Sequence, residues 1–263
     1  MTLSWIAVWP LDSPVVTWVA LVVVGVVAAV INSIAGGGSF LVLPVLMAAG
    51  LPPSVANGTV RVGVVFSCVT SALTFQSKGL LDWKKLLPIA PGMVLGAWIG
   101  AELANSLEEE WLRTSFGLVL VAWAVVLLLR PGRFLEAREE AREEARGMGV
   151  AGHAMALAIG VYGGFIQAGV GFPLMALLIY WLGMDALRGN AIKVALVLVF
   201  TVPAFAVFLR DGNIAWLEAG ALVLGNMIGG WAGTRWQIRA GVKLIRVFVV
   251  VMVTISGVLL LLG

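Results

Sequence analysis

The chain has very few of the residues from which catalytic and metal sites are built. Of its 263 residues, one is cysteine and one is histidine. A single cysteine excludes an internal disulfide and any metal site made of several cysteines. No His-Glu-x-x-His motif is present either. The sequence therefore argues against a membrane enzyme, and we expect no catalytic residue, no cofactor and no metal.

Charged residues are scarce as well. They make up 12% of the chain, against roughly 25% in soluble domains. Apolar residues make up 61%, the mean hydropathy is +1.04, and apolar runs of membrane-spanning length recur along the chain. Basic cytoplasmic loops explain the net charge of +3 better than nucleic-acid binding does. Since no basic region precedes the first apolar run, we expect no cleavable signal peptide.

Carboxylates are missing from the middle of the apolar runs. Glu102 and Glu218 lie near the ends of runs, and Asp82 and Asp185 lie in loops. A proton relay or a sodium site would need a carboxylate near the membrane midplane. We interpret His153, about one turn into its run, as an interfacial residue rather than a proton carrier. The sequence thus offers no obvious site for a coupling ion.

What the chain does contain is an internal repeat. Residues 35–113 align without a gap with residues 168–246, an offset of 168 − 35 = 133. Glycines, asparagines and tryptophans recur at equivalent positions, whereas charges change sign: Lys78 aligns with Asp211, Lys85 with Glu218, Glu102 with Arg235 and Glu110 with Lys243. Because basic residues stay on the cytoplasmic side, this pattern predicts two copies of opposite orientation. Inverted repeats are typical of secondary transporters, which bind substrate near the midplane between the repeats.

We predict five apolar segments in each repeat. They cover residues 15–34, 38–50, 55–76, 86–105 and 110–129, then 149–167, 171–183, 187–209, 214–236 and 242–262. The segments 38–50 and 171–183 are too short to cross the membrane as straight helices, so we interpret them as broken or re-entrant. The predicted fold is an all-α polytopic membrane protein with two inverted-topology repeats, comprising eight long transmembrane helices and two short segments. If each short segment instead forms one bent unit with its predecessor, the ten segments make eight membrane units.

The repeats imply a domain organisation and an orientation. The N-terminal repeat spans residues 1–130, a charged cytoplasmic linker spans 131–148, and the C-terminal repeat spans 149–263. The proposed cytoplasmic loops hold 13 of the 17 lysines and arginines. Both termini are then expected on the outer, periplasmic face.

Two glycine clusters are candidates for substrate binding. The first contains Asn32, Ser33, Gly36, Gly37, Gly38 and Ser39, and the second contains Gln167, Gly169 and Gly171. Glycines break a helix and expose backbone N–H groups, and the start of the following short helix, with Ser39 as its expected N-cap, would attract an anion. The alternative is close helix packing, which is our interpretation of Gly92, Gly96 and Gly100 at every fourth position.

Two basic residues lie inside apolar runs. Arg61 and Lys193 each lie about six residues from the start of a run, and no carboxylate is near either in sequence. Such a residue costs at least about 2.5 kcal/mol to insert. They either face a cavity for an anionic substrate, snorkel to the interface, or pair with backbone carbonyls. Asn57 and Asn190 precede them by four and three residues, on nearly the same helix face, and could add neutral donors.

The residues of both clusters resemble the TauE/SafE sulfite-exporter family. The likeness lies in Asn32 to Ser39 with Pro44, Gly50, Pro52, Ala56 and Asn57, and in Gly163 to Phe165, Gly169 to Pro173 and Gly189 to Ala191. The resemblance implies a multi-pass transporter of the bacterial inner membrane for sulfite, sulfonates or other small organic anions. The family pattern often places a small polar residue after the first asparagine, for which Thr59 is the candidate. Ile192 stands at the equivalent position of the second copy.

Together these features predict a secondary transporter or facilitator of a small anion. We expect export by alternating access, because the inside-negative potential favours the exit of an anion. An anion channel and an anion importer are alternatives within transport, and a non-transporting membrane scaffold is an alternative of another class. The expected partners are the anionic substrate and the lipid bilayer, with no nucleic acid, and homo-oligomerisation stays open.

Overall fold

The computed structural model describes residues 14–129 and 147–240, and its regular structure there is entirely helical. In chain order the helices are α1 (Pro14–Ile34), α2 (Ser39–Ala48), α3 (Pro53–Gln76), α4 (Trp83–Leu86), α5 (Ala90–Ser106), α6 (Glu109–Leu129), α7 (Gly149–Phe165), α8 (Gly171–Ala176), α9 (Ala186–Arg210) and α10 (Trp216–Ala240). A π-helical turn, Leu177–Trp181, follows α8. The predicted segment 242–262, both termini and nearly all of the linker 131–148 lie outside the described residues.

Three of these helices are long and apolar enough to cross a membrane. They are Val15–Ile34, Pro53–Gln76 and Ala186–Arg210. Many large apolar side chains of the bundle are exposed on its surface, Leu118 and Leu224 among them. A soluble protein would rarely expose so much apolar surface, whereas a lipid-facing helix does so routinely. For the residues that the structure describes, the prediction of an all-helical fold with helices able to span a membrane is therefore confirmed.

The helix bounds lie close to the predicted segments, with three differences. The segment predicted at 86–105 begins as α5 only at Ala90, and the single turn of α4 precedes it as a separate element, because Asp82 accepts a hydrogen bond from the Lys84 N–H and caps that turn. The segment predicted at 214–236 continues as α10 to Ala240. Ser39 was expected to cap α2, but Gly38 is the N-cap and Ser39 is the first helical residue. A Cβ atom on residue 38 would lie 1.9 Å from the Ala28 carbonyl oxygen, so glycine is required there.

The backbone of the first half recurs in the second. Glycines with positive φ stand at equivalent positions, separated by 169 − 36 = 133 residues: Gly36 and Gly169, Gly50 and Gly183, Gly79 and Gly212. The helix order recurs too, since α1, α2 and α3 correspond to α7, α8 with its π-helical turn, and α9. The sequence repeat is thus also a repeat of backbone conformation.

Helices of the two halves interlock through glycines. Helix α1 packs on α10, where Cβ atoms on Gly225 and Gly229 would lie 2.2 Å from the carbonyl oxygens of Val22 and Val26. Helix α5 packs on α7 in the same way. There, Cβ atoms on Gly96 and Gly100 would meet the carbonyl oxygens of Leu157 and Val161. The packing interpretation of Gly96 and Gly100 is confirmed. Since the residue numbers rise together in both pairs, α1 runs parallel to α10 and α5 runs parallel to α7.

The helix ends define two groups of opposite direction. Asn190, near the start of α9, bonds to Gln237, near the end of α10, so these helices are antiparallel. Glu102 and Arg210 join the C-terminal ends of α5 and α9, so these two helices are parallel.

Helix α3 runs parallel to α10, because Ser71 contacts Gly230 while the earlier Gly63 contacts Asn226. Helices α1, α3 and α10 consequently run one way, and α5, α7 and α9 run the other.

Candidate functional site

The two glycine clusters meet in the middle of the bundle. A Cβ atom on Gly171 would lie 2.4 Å from the Gly36 Cα atom, so the two backbones are in direct contact. Gly36 and Gly169 adopt φ values of +92° and +75°, which turn the chain from each long helix into the short one. The fold therefore brings together the two clusters that the repeat predicted as a pair.

The start of α2 has backbone donors to offer. Phe40 and Leu41 donate to the carbonyls of Gly37 and Gly38 at 3.1 and 3.0 Å. Within the described part of the chain, no backbone acceptor pairs with the N–H groups of Gly37, Gly38 and Ser39. Orphan N–H groups at the first turn of a helix are a common anion-binding arrangement.

Aromatic side chains cover the contact between the clusters. The rings of Phe40 and Phe172 stack with centroids 6.3 Å apart, and Trp123 lies 5.0 Å from Phe172. Trp123 Nε1 donates to the Tyr162 hydroxyl at 2.8 Å, and that hydroxyl donates to the Ala168 carbonyl. The sequence analysis missed these residues, because single aromatics in apolar runs carry no signal of a shared location.

Arg61 of α3 is fully buried, with 0% of its surface exposed. Its Nη1 atom donates to Gln167 Oε1 at 2.9 Å and to the Gly163 carbonyl at 3.2 Å. Its Nη2 atom donates to the Gly164 carbonyl and to Asn57 Oδ1, which confirms that Asn57 and Arg61 share a helix face. The guanidinium also lies over the Phe208 ring, 4.7 Å from its centroid, as in a cation–π contact.

Lys193 of α9 is buried to nearly the same extent, with 1% exposed, but it has fewer partners. Its Nζ atom donates to the Asn32 carbonyl at 3.0 Å. Neighbouring Asn190 donates through Nδ2 to the Ser33 carbonyl and to Gln237 Oε1, both at 2.6 Å. Lys193 and Asn190 thus bind two adjacent main-chain carbonyls at the end of α1.

Each cation thus contacts the C-terminal end of a helix in the other half of the chain, where a glycine cluster follows that helix. Arg61, in the first half, binds carbonyls at the C-terminal end of α7, and Lys193, in the second half, binds one at the end of α1. Unpaired carbonyls and the helix dipole make such ends negative, so a cation is stabilised there. Of the alternatives that the sequence left open, pairing with carbonyls is observed, and burial excludes snorkelling.

The remaining candidate residues have specific positions. Asn57 Nδ2 donates to the Phe165 carbonyl at 2.8 Å, and Gln167 Nε2 donates to Thr201 Oγ1 at 3.1 Å. Ser33 Oγ bonds back to the Val30 carbonyl within α1. Thr59 Oγ1 accepts a hydrogen bond from the Ala215 N–H at 2.9 Å, and Ala215 is the residue that precedes α10.

The described part of the chain contains no buried carboxylate beside these cations. Its buried polar side chains are amides and hydroxyls, apart from Arg61 and Lys193. No group of three or more metal-binding side chains occurs among the same residues. Among the described residues, two positive charges are therefore buried without an opposite charge to neutralise them, which is costly unless an anion approaches.

Two buried polar residues of α10, Gln237 and Thr234, were not predicted as part of the site. Gln237 Oε1 accepts from Asn190, and Thr234 lies one turn earlier on the same helix, with both residues fully buried. Gln237 escaped attention because the predicted segment ended at residue 236, which placed Gln237 in a loop. A buried polar pair three residues apart on one helix would have been the signal.

The two ends of the bundle differ. At one end, a cavity of about 590 Å³ is lined by residues 79–85 and 182–185 with Arg188 and Ile192. At the equivalent surface of the other end two chain segments are in close contact, because a Cβ atom on Gly58 would lie 2.0 Å from the Asn213 carbonyl oxygen. At that end Arg210 joins α9 to α5 by pairing with both oxygens of Glu102, at 2.8 and 2.9 Å, and it also pairs with Asp211. The hydrogen bonds from Arg210 hold the pKa of the Asp211 carboxyl below its ordinary value.

Comparison with known proteins agrees with this architecture. Residues 21–260 match the model of the family described as "Sulfite exporter TauE/SafE". A probable membrane transporter protein, ORF9, of a Sinorhizobium species is 28% identical over 88% of this chain and 87% of its own length. The probable membrane transporter protein YfcA of Escherichia coli is 26% identical over 90% and 87%. A probable membrane transporter protein of Haemophilus influenzae is 26% identical over 87% and 88%.

These names indicate transport, and none indicates a catalytic activity. No solved structure matches the chain significantly. The family match covers nearly the whole sequence, including both glycine clusters and both buried cations. The chain is therefore a membrane transporter that belongs to the TauE/SafE sulfite exporter family.

Proposed function

We propose that this transporter exports a small sulfur-containing or organic oxyanion, such as sulfite or a sulfonate, across the bacterial inner membrane. The observation that carries the proposal is the burial of Arg61 and Lys193 without a buried carboxylate in the described part of the chain. The anion would lie between the two glycine clusters. The cations would supply charge, the N–H groups after Gly38 and Gly171 would supply donors, and Asn57 and Asn190 would orient the ligand.

The architecture that we propose is a pair of inverted-topology repeats. Support comes from helix direction, since α1 and α3 run opposite to their equivalents α7 and α9. Support also comes from the charges, because an inverted copy needs the opposite sign at equivalent positions to keep basic loops cytoplasmic. This arrangement would contain eight long helices and two short segments, α2 and α8, with both termini on the periplasmic face.

Alternating access is our proposed mechanism. It is supported by the difference between the two ends, of which one has a cavity and the other has a close contact between Gly58 and Asn213. The cavity is bordered by Lys84, Lys85 and Arg188, which belong to loops that we assign to the cytoplasm. The present conformation would then be open to the inside, and opening to the outside would require the contacts of Gly58, Thr59 and Arg210 to separate.

The sequence itself accounts for the closed end. Gly58 permits the approach of Asn213, whereas its equivalent, 191 − 58 = 133 residues later, is Ala191. Thr59 accepts a hydrogen bond from the Ala215 N–H, whereas its equivalent Ile192 has no polar atom to do so. One end therefore has closing contacts that the other lacks, which is how a repeat protein can favour one of two related conformations.

Electrostatics favour export as the direction. With the cell interior negative, each negative charge that leaves gains about 2.3 kcal/mol per 100 mV. Uptake would require a coupling ion, and the described residues contain neither a buried carboxylate nor a cluster of metal-binding side chains. Uptake is nevertheless an outcome that a flux experiment can return. Self-association of the purified protein is a separate question, which a measurement of its mass in detergent answers.

The test is counterflow in liposomes that contain the purified protein. Vesicles are loaded with unlabelled sulfite, thiosulfate or sulfoacetate, and entry of the labelled anion is followed. A carrier accumulates label transiently because the internal anion exchanges for it, and protein-free vesicles give the baseline. A channel would equilibrate label without transient accumulation. Flux equal to the baseline for every anion would favour the scaffold and contradict the proposal.

A further inference from the structure

The two buried cations are not equally satisfied. The Arg61 guanidinium makes four hydrogen bonds and a ring contact, and only its Nε atom lacks a partner. The Lys193 ammonium has three donors, and the Asn32 carbonyl accepts one of them. The pair is related by the repeat in position but not in chemistry. Arg61 is held by protein groups, whereas Lys193 retains donors for something else.

Unpaired polar atoms occur on Asn190, one helical turn before Lys193 on α9, and on two residues of α10. Buried side-chain atoms without a hydrogen-bond partner among the described residues are Asn190 Oδ1, Thr234 Oγ1 and Gln237 Nε2, besides Arg61 Nε. Asn190 and Gln237 bond to each other, and Thr234 lies one helical turn before Gln237. A buried polar atom without a partner costs about 1–3 kcal/mol. Three such atoms on residues connected by one hydrogen bond and one helical turn point to a ligand rather than to three unrelated unpaired groups.

The balance of these atoms indicates the sign of the ligand. Lys193 has two unused N–H donors, Gln237 Nε2 has two, and the Thr234 hydroxyl has one. Asn190 Oδ1 is the single unused amide acceptor of this group. Both N–H groups of Asn190 are already engaged. Donors outnumber acceptors and one of them is cationic, so the arrangement suits an oxyanion. The acceptor is available for an O–H group of the ligand or of an accompanying water.

Gln237 and Thr234 belong to one half of the molecule alone. Their equivalents 133 residues earlier, Ala104 and Ala101 on α5, carry no polar atoms. The Arg61 side therefore has no comparable group of unpaired donors. Its amide partner Gln167 is engaged at both ends, by Arg61 and by Thr201.

We infer that the oxyanion binds off-centre, at a site formed by Lys193, Gln237, Thr234 and Asn190, while Arg61 holds the end of α7 and does not contact the ligand. The inference rests on the proposed function and revises the position of its site, because it places the anion beside Lys193 and the end of α1 instead of between both cations and both glycine clusters. The site lies at the junction of α9, α10 and the end of α1, so it joins the two helix groups of opposite direction. A small oxyanion with several acceptor oxygens is the chemical class that fits.

The experiment is a binding titration of the purified full-length protein, followed by its thermal unfolding. The probes are sulfite, sulfate, thiosulfate, sulfoacetate, acetate and chloride. Thr234→Val removes the hydroxyl with little change of shape, and Gln237→Glu replaces the unpaired donor with a negative oxygen. Ser71→Ala is the matched control, because it also deletes a buried hydroxyl between α3 and α10, at the Gly230 carbonyl.

We expect a sulfur oxyanion to stabilise the wild type and to bind Thr234→Val about tenfold more weakly, since a hydrogen bond to a charged group is lost. Gln237→Glu should lose detectable binding. Ser71→Ala should bind the anion within about twofold of wild type. If Gln237→Glu does not fold, Thr234→Val against Ser71→Ala decides alone.

Two results would overturn the inference: one rejects the subsite alone, and the other rejects the proposed function as well. If the wild type binds an oxyanion and Thr234→Val binds it as tightly as Ser71→Ala does, the subsite is wrong and the proposed function stands. If no anion of the panel stabilises the wild type, the proposed function fails and the subsite fails with it.

Discussion

Lys193 Nζ lies 3.0 Å from the backbone carbonyl oxygen of Asn32, 161 residues earlier in the chain. Arg61 makes the reciprocal contact with the carbonyls of Gly163 and Gly164. The C-terminal ends of α1 and α7, which the glycine clusters follow, are thus each bound by a cation from the other half of the chain. Any movement of one half against the other must disturb these bonds, so stability and conformational change depend on the same contacts.

Replacing Arg61 should affect stability more than replacing any exposed cation. Arg61→Ala removes four hydrogen bonds and leaves the Gly163 and Gly164 carbonyls unpaired, so we expect a loss of about 3 kcal/mol or more. Arg61→Lys should retain part of this, because an ammonium cannot reproduce the forked geometry. The measurement is the melting temperature in detergent.

The control for Arg61 is Arg188→Ala, which removes an arginine whose side chain is 63% exposed and pairs only locally with Asp185. We expect a change within about 0.5 kcal/mol. Equal melting temperatures for Arg61→Ala and Arg188→Ala would show that the buried network does not hold α7.

The contact between the glycine clusters can be separated from backbone strain. Gly36 and Gly50 have nearly the same φ, +92° and +95°, but a Cβ atom on Gly36 would lie 2.6 Å from Gly171 Cα, and one on Gly50 would meet nothing within 4 Å. Gly50→Ala should therefore cost about 1–2 kcal/mol from strain alone. Gly36→Ala should cost clearly more, because the two halves must also move apart. Equal losses of stability in the two variants would refute a close contact at residue 36.

Thr59 should matter through its hydroxyl oxygen. Thr59→Val deletes the acceptor of the Ala215 N–H, and we expect a loss of about 1 kcal/mol, as for other helix-capping residues. Thr59→Ser keeps the oxygen and should stay close to wild type. Thermal unfolding of both variants tests this, and a valine variant as stable as the serine variant would mean that the contact is unimportant.

The Glu102–Arg210 pair should control opening rather than stability. Its side chains are 38% and 58% exposed, and such pairs contribute about 1 kcal/mol or less. Glu102→Gln should leave the melting temperature nearly unchanged but speed the reaction of an engineered cysteine at buried Ile214 with a membrane-impermeant maleimide. Arg188→Ala, at the other end of the bundle, should leave that rate unchanged. An unaltered rate in Glu102→Gln would contradict its role in closing this end.

Much of the fold could be predicted, because glycine and proline mark helix ends in both repeats of the sequence. Helix α3 begins at Pro53 against a predicted start at residue 55, and α9 begins at Ala186 against 187. The burial of Arg61 and Lys193 could also be anticipated, since each lies in an apolar run without a nearby carboxylate. Local patterns of this kind depend on residues that are close in sequence.

The partners of the candidate residues could not be predicted. Gly164 is 103 residues from Arg61, and Gln237 is 47 residues from Asn190, so no spacing rule connects either pair. The repeat also suggested that the two cations are equivalent, whereas Gln237 and Thr234 make their surroundings different. Such differences arise where the copies diverge, at residues that an alignment of the copies disregards.

The central claim is that a buried cation of this protein serves anion transport. Its most direct test is flux of a labelled sulfur oxyanion through liposomes containing wild type or Lys193→Met, at equal amounts of folded protein. Methionine preserves the length and apolar stem of the side chain and removes its charge. We predict saturable flux for the wild type and a loss of at least about tenfold for Lys193→Met. Equal flux through both proteins would contradict the account.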